Sequence, residues 1–489
     1  MKKQFTHLIT FSVLLTVAFG KRFKKADTQE ALDAALGALR LGTTTPILVP
    51  DSASEHPLIL NNLEDQPLCT PDAFIEPSRE LKVMAGYEYS VLTNDIESPR
   101  KLLMDRSGHL LVSASKGIYS IRTDKCGNTD IQLILSSELF SEPLGIGLES
   151  YGQHLFVATA KSIYRFPYSD GQHSALKEGV QVMKNLNPAD SLEAPDVVID
   201  VFGQAYIPST VDRLSDPISH AVIKKFDFKH IPEDGYDYLM HGQVFSFGAN
   251  TQGLMGLDAQ SNLWGINGLL RGDENAEGRG VKLDLSGFAE ELNKYHTPSM
   301  NYGFPYCLTK HSQPVSKNEQ LGHPELSNQS LSLDEYCQDQ TKNVRPVVPL
   351  SQEHASNVHF YTGVFCSVGD MTTDGTSVGL PCNWTNTPIL ANHGHHSAGH
   401  SVVHLPFLDL GHQPQLDKKP EILLQDVECD QGKCFSPIGL AHDNYGRLYI
   451  SSDQTNEILL FRRTFSEKAA QRMTDIVENG KVIEEDEED

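Results

Sequence analysis

Arg100-Lys-Leu-Leu-Met-Asp105-Arg-Ser-Gly108-His-Leu-Leu-Val112 reads as a hairpin: a short apolar strand, an aspartate, a tight turn ending on glycine, and a second apolar strand. The same unit recurs. Leu144-Gly-Ile-Gly-Leu-Glu149 leads through Gly152 to His154-Leu-Phe-Val157, and Asp196-Val-Val-Ile-Asp200 leads through Gly203 to Tyr206. Gly253-Leu-Met-Gly-Leu-Asp258 leads to Asn262-Leu-Trp264, and Pro437-Ile-Gly-Leu-Ala-His-Asp443 leads through Gly446 to Tyr449. A third strand often follows, as in Gly117–Ile121, Ser162–Phe166, Ala221–Phe226 and Glu457–Phe461. The acidic anchors at 105, 149, 200 and 258 are 44, 51 and 58 residues apart. Propeller blades repeat at about 40–50 residues. The 185 residues from 258 to 443 leave room for further blade strands and insertions, with His400–Phe407 reading as one such strand. The pattern predicts an all-β chain, a six-bladed β-propeller over 69–463, with a short N-terminal leader and an acidic C-terminal tail. The competing reading is a β-sandwich whose hairpins are alike by accident. Radial repetition leaves a central channel, so function is expected on the loops at its mouth.

The chain has 489 residues, and its formal net charge of −24 sets it against phosphate backbones and anionic lipid. Nucleic acid is thereby excluded as a partner. Residues 1–20 carry Lys2 and Lys3, an apolar run from Leu8 to Phe19 and the small-residue end Ala18-Phe19-Gly20, which together predict a secretory signal peptide. No later stretch is apolar for the roughly 18 residues a membrane span needs. Residues 21–68 read as a leader segment, helical or processed at Lys21-Arg22 and Lys24-Lys25. Residues 464–489 end in Glu484-Glu485-Asp486-Glu487-Glu488-Asp489, a self-repelling and solvated tail.

Secretion makes the cysteines informative. Cys69, Cys126, Cys307, Cys337, Cys366, Cys382, Cys429 and Cys434 all follow the leader and allow four bridges. Short loops favour Cys429 with Cys434, Cys366 with Cys382 and Cys307 with Cys337. None has the Cys-x-x-Cys spacing of a zinc or redox site. Asn328-Gln-Ser330 and Asn383-Trp-Thr385 are glycosylation sequons.

The repeats resemble the soluble quinoprotein sugar dehydrogenases, the glucose, sorbosone and pyranose dehydrogenase propellers. The resemblance rests on Pro99-Arg100-Lys-Leu-Leu-Met-Asp105, on Leu144–Gly147 with Ser162-Ile-Tyr-Arg-Phe-Pro-Tyr168, and on Glu290-Glu-Leu-Asn293 followed by Tyr302-Gly-Phe-Pro-Tyr-Cys307. It continues through Asn392-His-Gly394, Leu405-Pro-Phe407 and Pro437–Leu440 with Gly446–Asp453, spanning roughly residues 99–463. It implies a pyrroloquinoline quinone cofactor, assisted by calcium, that oxidises a carbohydrate by hydride transfer and passes electrons to an external acceptor. Cations must then hold the cofactor's carboxylates, and a base must take the substrate's hydroxyl proton. Arg100 matches the family's arginine at the opening of a blade, and His393 its His-Gly histidine; both are candidate cofactor contacts.

The chain departs from the family where the base should be. In place of the His-Thr-Thr-Arg-Thr-like segment stands Ser191-Leu-Glu-Ala-Pro-Asp196, with Leu192 and Pro195 at the His and Arg positions. Neither does proton chemistry, which leaves Glu193 and Asp196 as substitute bases. After His393 the expected Ser-Trp-Asn-Arg is His395-His396-Ser397-Ala398. These losses keep a second reading open, a non-catalytic extracellular propeller that binds a glycan or protein. A third is a calcium-dependent lactonase- or strictosidine synthase-like propeller. The cluster His393-Gly-His395-His396-Ser-Ala-Gly-His400 is also a candidate zinc or copper site.

Overall fold

A computed structural model describes residues 67, 69, 71–139, 145–149, 153–186, 196–209, 221–251, 253–268, 288–296, 298–310, 320–322, 333–351, 354–361, 366–367, 377–394, 399–408, 413–429 and 433–464. The leader, the acidic tail, Leu192, Glu193, Pro195 and Asn328 lie outside them.

Six antiparallel blades follow one another along the chain. Blade 1 is Leu102–Met104, His109–Ala114, Gly117–Thr123 and Thr129–Ser136; blade 2 is Gly145–Leu148, His154–Ala158, Ser162–Pro167 and Val180–Lys184. Blade 3 is Val198–Ile199, Gln204–Ser209, Val222–Asp227 and Gln243–Phe247; blade 4 is Gly256–Leu257, Leu263–Asn267, Glu290–Tyr295 and Val348–Leu350. Blade 5 is Ala355–Phe360, Pro388–Asn392, Ser401–His404 and Glu421–Gln425. Blade 6 takes Pro437–His442, Leu448–Ser452 and Glu457–Arg463 from the C-terminal end and its outermost strand, Tyr87–Thr93, from the N-terminal end. That pairing closes the ring and leaves no open junction between first and last blade.

The apolar positions of the repeats form six wedges, each between two neighbouring blades. Leu111 and Leu155 meet between blades 1 and 2, Phe156 and Ala205 between 2 and 3, and Tyr206 and Leu263 between 3 and 4. Trp264 and Val358 meet between blades 4 and 5, Ala391 and Leu440 between 5 and 6, and Tyr449 and Leu110 between 6 and 1. Both faces of each sheet are therefore covered, so its strands are apolar in runs rather than in strict alternation.

The repeated acid is a turn lock. Asp258 Oδ1 accepts the backbone N–H groups of Gln260 at 3.0 Å and Asn262 at 2.8 Å, and Oδ2 accepts the Trp264 indole N–H at 3.0 Å. Asp105, Asp200 and Asp443 repeat this, with the hydroxyls of Tyr168, Tyr206 and Tyr449 in place of the indole. An aspartate two residues before a turn amide supplies the acceptor that the tight backbone lacks. Blade 5 has no such hairpin. Its first two strands are joined through residues 361–387, which include the Cys366–Cys382 disulfide, and this insertion is why the acidic anchors fall silent between 258 and 443.

The three short-loop disulfides form as expected, and a fourth, Cys69–Cys126, ties the segment ahead of the propeller to blade 1. Asn383 is exposed. No helix among the described residues is long and apolar enough to cross a membrane.

Candidate active site

The innermost strands of the six blades wall a central cavity of about 510 Å³. Each runs from an upper face, which carries the loops between second and third strands, to a lower face, which carries the aspartate-locked turns. The cavity wall starts at Lys101, Val197 and Leu254 above and ends at Arg106, Glu149 and Asp443 below.

At the upper end Lys101 spans the channel. Its Nζ lies 2.5 Å from Asp196 Oδ1 and donates to the Val197 carbonyl at 3.0 Å. Asp196 Oδ1 also accepts the Val197 N–H at 2.8 Å, and Oδ2 accepts the Met255 N–H at 2.9 Å. Blades 1, 3 and 4 are thus linked through one buried carboxylate. Blade 2 lets them meet because Gly147 has no side chain; a Cβ there would stand 2.9 Å from the Val197 oxygen. Asp196, a candidate base by sequence, has both oxygens engaged in this link and is not part of the cavity wall.

Arg100 precedes Lys101 in the chain and is half-buried. Its N–H donates to the Ser113 carbonyl at 2.8 Å and its own carbonyl accepts the Ser451 hydroxyl at 2.5 Å, so the backbone is fixed between blades 1 and 6. Gly439 permits this approach, since a Cβ would collide with the Arg100 oxygen. The Arg100 guanidinium has no hydrogen-bond or ion-pair partner among the described residues. A half-buried cation in that condition can take an anion at low desolvation cost.

His393 follows the second strand of blade 5 on the same upper face. Its Nε2 lies 3.0 and 3.2 Å from the two oxygens of Asp453, which follows the second strand of blade 6. Its backbone N–H donates to the His354 carbonyl at 2.8 Å. With Nε2–H given to the carboxylate, Nδ1 keeps its lone pair, and it has no hydrogen-bond partner among the described residues. Next to it Gly394, at φ +81°, packs against the His400 ring, where a Cβ would clash.

Elsewhere the structure brings together groups that the sequence did not single out. Glu291, on the third strand of blade 4, accepts the Thr309 hydroxyl at 2.6 Å, and burial pushes its carboxyl up to about 7. His359 and His442, on the innermost strands of blades 5 and 6, lie with Nε2 and Nδ1 2.8 Å apart. Burial holds His359 well below the usual histidine range and pushes His442 down to about 4. Their place at equivalent ends of two innermost strands is visible in Val358-His359-Phe360 and Ala441-His442-Asp443 only once the blades are aligned.

At the upper face the half-buried Arg100 guanidinium, with no partner among the described residues, fits a carboxylate of a polyanion. No three carboxylates among the described residues converge as a calcium cage would need. Among the described residues, the one convergence of three His, Cys, Asp or Glu ligand atoms is His400 with Cys429 and Cys434, whose sulfurs are bonded to each other. No step is therefore assigned to calcium.

Residues 81–464 match the TrAA12-like family. A pyrroloquinoline quinone-dependent sugar dehydrogenase of Hypocrea jecorina (strain QM6a) is 22% identical over 407 residues, covering 78% of this chain and 88% of the relative. The holo form of the pyranose dehydrogenase PQQ domain from Coprinopsis cinerea superposes with a TM-score of 0.65 at 18% identity, over 81% of this chain and 100% of that one. The calcium structure of a Trichoderma reesei carbohydrate-active enzyme of family AA12 gives the same TM-score, identity and coverage. These structural likenesses bear on the fold, and they agree with the propeller read from the repeats.

Proposed function

Because the chain belongs to the TrAA12-like family, we propose that it is an exported pyrroloquinoline quinone-dependent dehydrogenase that oxidises a sugar or polyol at the upper face of the propeller. The observation that carries this reading is the half-buried Arg100 guanidinium, which has no partner among the described residues, just before the innermost strand of blade 1. Arg100 would hold a carboxylate of the quinone through the bidentate contact that its planar fork suits. The four disulfides favour an oxidising compartment and accord with the signal peptide expected from residues 1–20.

The bound quinone supplies a two-electron acceptor for a hydride. The protein's own part is the proton. His393 Nδ1 takes the proton of the substrate hydroxyl, and Asp453 on Nε2 fixes the tautomer and stabilises the imidazolium that results. This division assigns to His393 the work that Leu192 cannot do. Asp196 acts as a positioning residue by holding Lys101 at the channel mouth. Calcium enters this reading through the relatives alone.

The test is reduction of a dye acceptor by the quinone-loaded protein over a panel of aldoses and polyols. Turnover that depends on both quinone and sugar supports the reading. Tight glycan binding without turnover would instead favour the non-catalytic propeller, which the loss of the family's base at Leu192 already allows.

A further inference from the structure

Beneath the Lys101–Asp196 link lies the lower part of the central cavity, a chamber walled by the innermost strands of all six blades. Two imidazoles border that chamber and have no part in the chemistry above. His359 Nε2 and His442 Nδ1 stand 2.8 Å apart, and both rings are half-buried against the cavity. Two nitrogens bound cis to one metal ion at about 2.0–2.1 Å lie about 3 Å from each other, so the spacing already matches a chelate edge. Burial keeps both rings neutral at pH 7, the form that ligates. Asp443 follows His442 and acts on it electrostatically. The Tyr361 ring meets His442 edge-on at 5.4 Å, and its buried hydroxyl has no hydrogen-bond partner among the described residues. At the lower rim Glu149, Asp170 and Asp443 stand against Arg106 and against Arg447, which pairs with Asp443 at 2.7 Å; three carboxylates to two guanidinium groups leave a negative rim that favours entry of a cation.

We propose that His359 and His442 form the two-imidazole core of a binding site for a divalent transition-metal ion, copper(II) or zinc, in the lower chamber of the channel. Binding replaces the hydrogen bond between the rings. The bridging proton moves to the outer nitrogen of the ring that carries it, both inner nitrogens turn their lone pairs to the metal, and no net proton is released. The metal changes no oxidation state. The site shares no residue with the proposed quinone contacts.

Quinone-free full-length protein, titrated with copper(II) at pH 7 by calorimetry and electron paramagnetic resonance, tests this independently of the quinone proposal. One equivalent is expected, with nitrogen hyperfine structure from two imidazoles. It should weaken at least 100-fold in H359Q/H442Q and persist in H395A/H396A. Should the double variant fail to fold, H359N and H442N singly carry the same expectation, and the wild-type spectrum stands by itself. The proposal is overturned by absence of the equivalent, by a spectrum with fewer than two nitrogen ligands, by retention in the His359 and His442 variants, or by loss in H395A/H396A.

Discussion

Lys101 of blade 1 and Asp196 of blade 3 form a buried ion pair 2.5 Å long across the top of the channel, passing the glycine-bearing innermost strand of blade 2. Removing one partner of a buried pair strands the other, at a cost of about 3–5 kcal/mol. K101M should therefore lose that much stability in urea unfolding. K101M/D196N should lose less than the two single variants summed, because no charge is then left alone. Strict additivity would mean that the two groups are not coupled.

The aspartate locks are structural, and D258A should show it. The substitution strands two turn amides and the Trp264 indole, and removes the partner of Lys294 at 3.3 Å. The buried indole donor left stranded costs about 1–3 kcal/mol, and the two part-buried amides less. A fall of several degrees in Tm without loss of quinone affinity is expected. An unchanged Tm would show that the turn holds without its acid.

Glu291 gives stability a pH dependence of defined sign. Its carboxyl is raised from 4.5 to about 7 in the folded protein, so the contribution is present below pH 4.5 and is lost as pH rises through about 7. By the size of the shift, roughly 3 kcal/mol is at stake. The His359–His442 pair acts in the opposite sense, losing stability as pH falls from 6.5, so the measurement is the difference between E291Q and wild type. E291Q should gain on wild type from pH 5 to pH 8. A constant difference across that range would contradict the assignment.

In the proposed mechanism His393 is the base and Asp453 its orienting partner. H393A should lower kcat by about 10²–10⁴-fold. D453N should lower it less, with an altered pH–rate profile because the imidazolium loses its counter-charge. Unchanged kcat in H393A would remove the histidine from the chemistry.

The sequence carried the architecture because the blade unit is local: apolar strand, aspartate, glycine turn and second strand all lie within a dozen residues. Blade 5 escaped because its first two strands, Ala355–Phe360 and Pro388–Asn392, are separated by a disulfide-bearing insertion. The site was legible only in part. Arg100 and His393 could be picked out by their family positions, whereas Lys101 with Asp196, and His359 with His442, meet only when ring closure brings distant blades to one axis. Asp196 read as a free acid for the same reason, since Lys101 lies 95 residues away. Glu193 belongs to a stretch outside the described residues, and its place in the site stays a proposal.

The most direct measurement is calorimetric titration of the purified protein with pyrroloquinoline quinone, in the presence and absence of calcium, for wild type and R100A. The account predicts one quinone bound per chain and at least a tenfold loss of affinity in R100A, since about 1.4 kcal/mol, less than one charge-assisted hydrogen bond, already gives that factor. No heat of binding under either condition, or equal affinity in R100A, would contradict it.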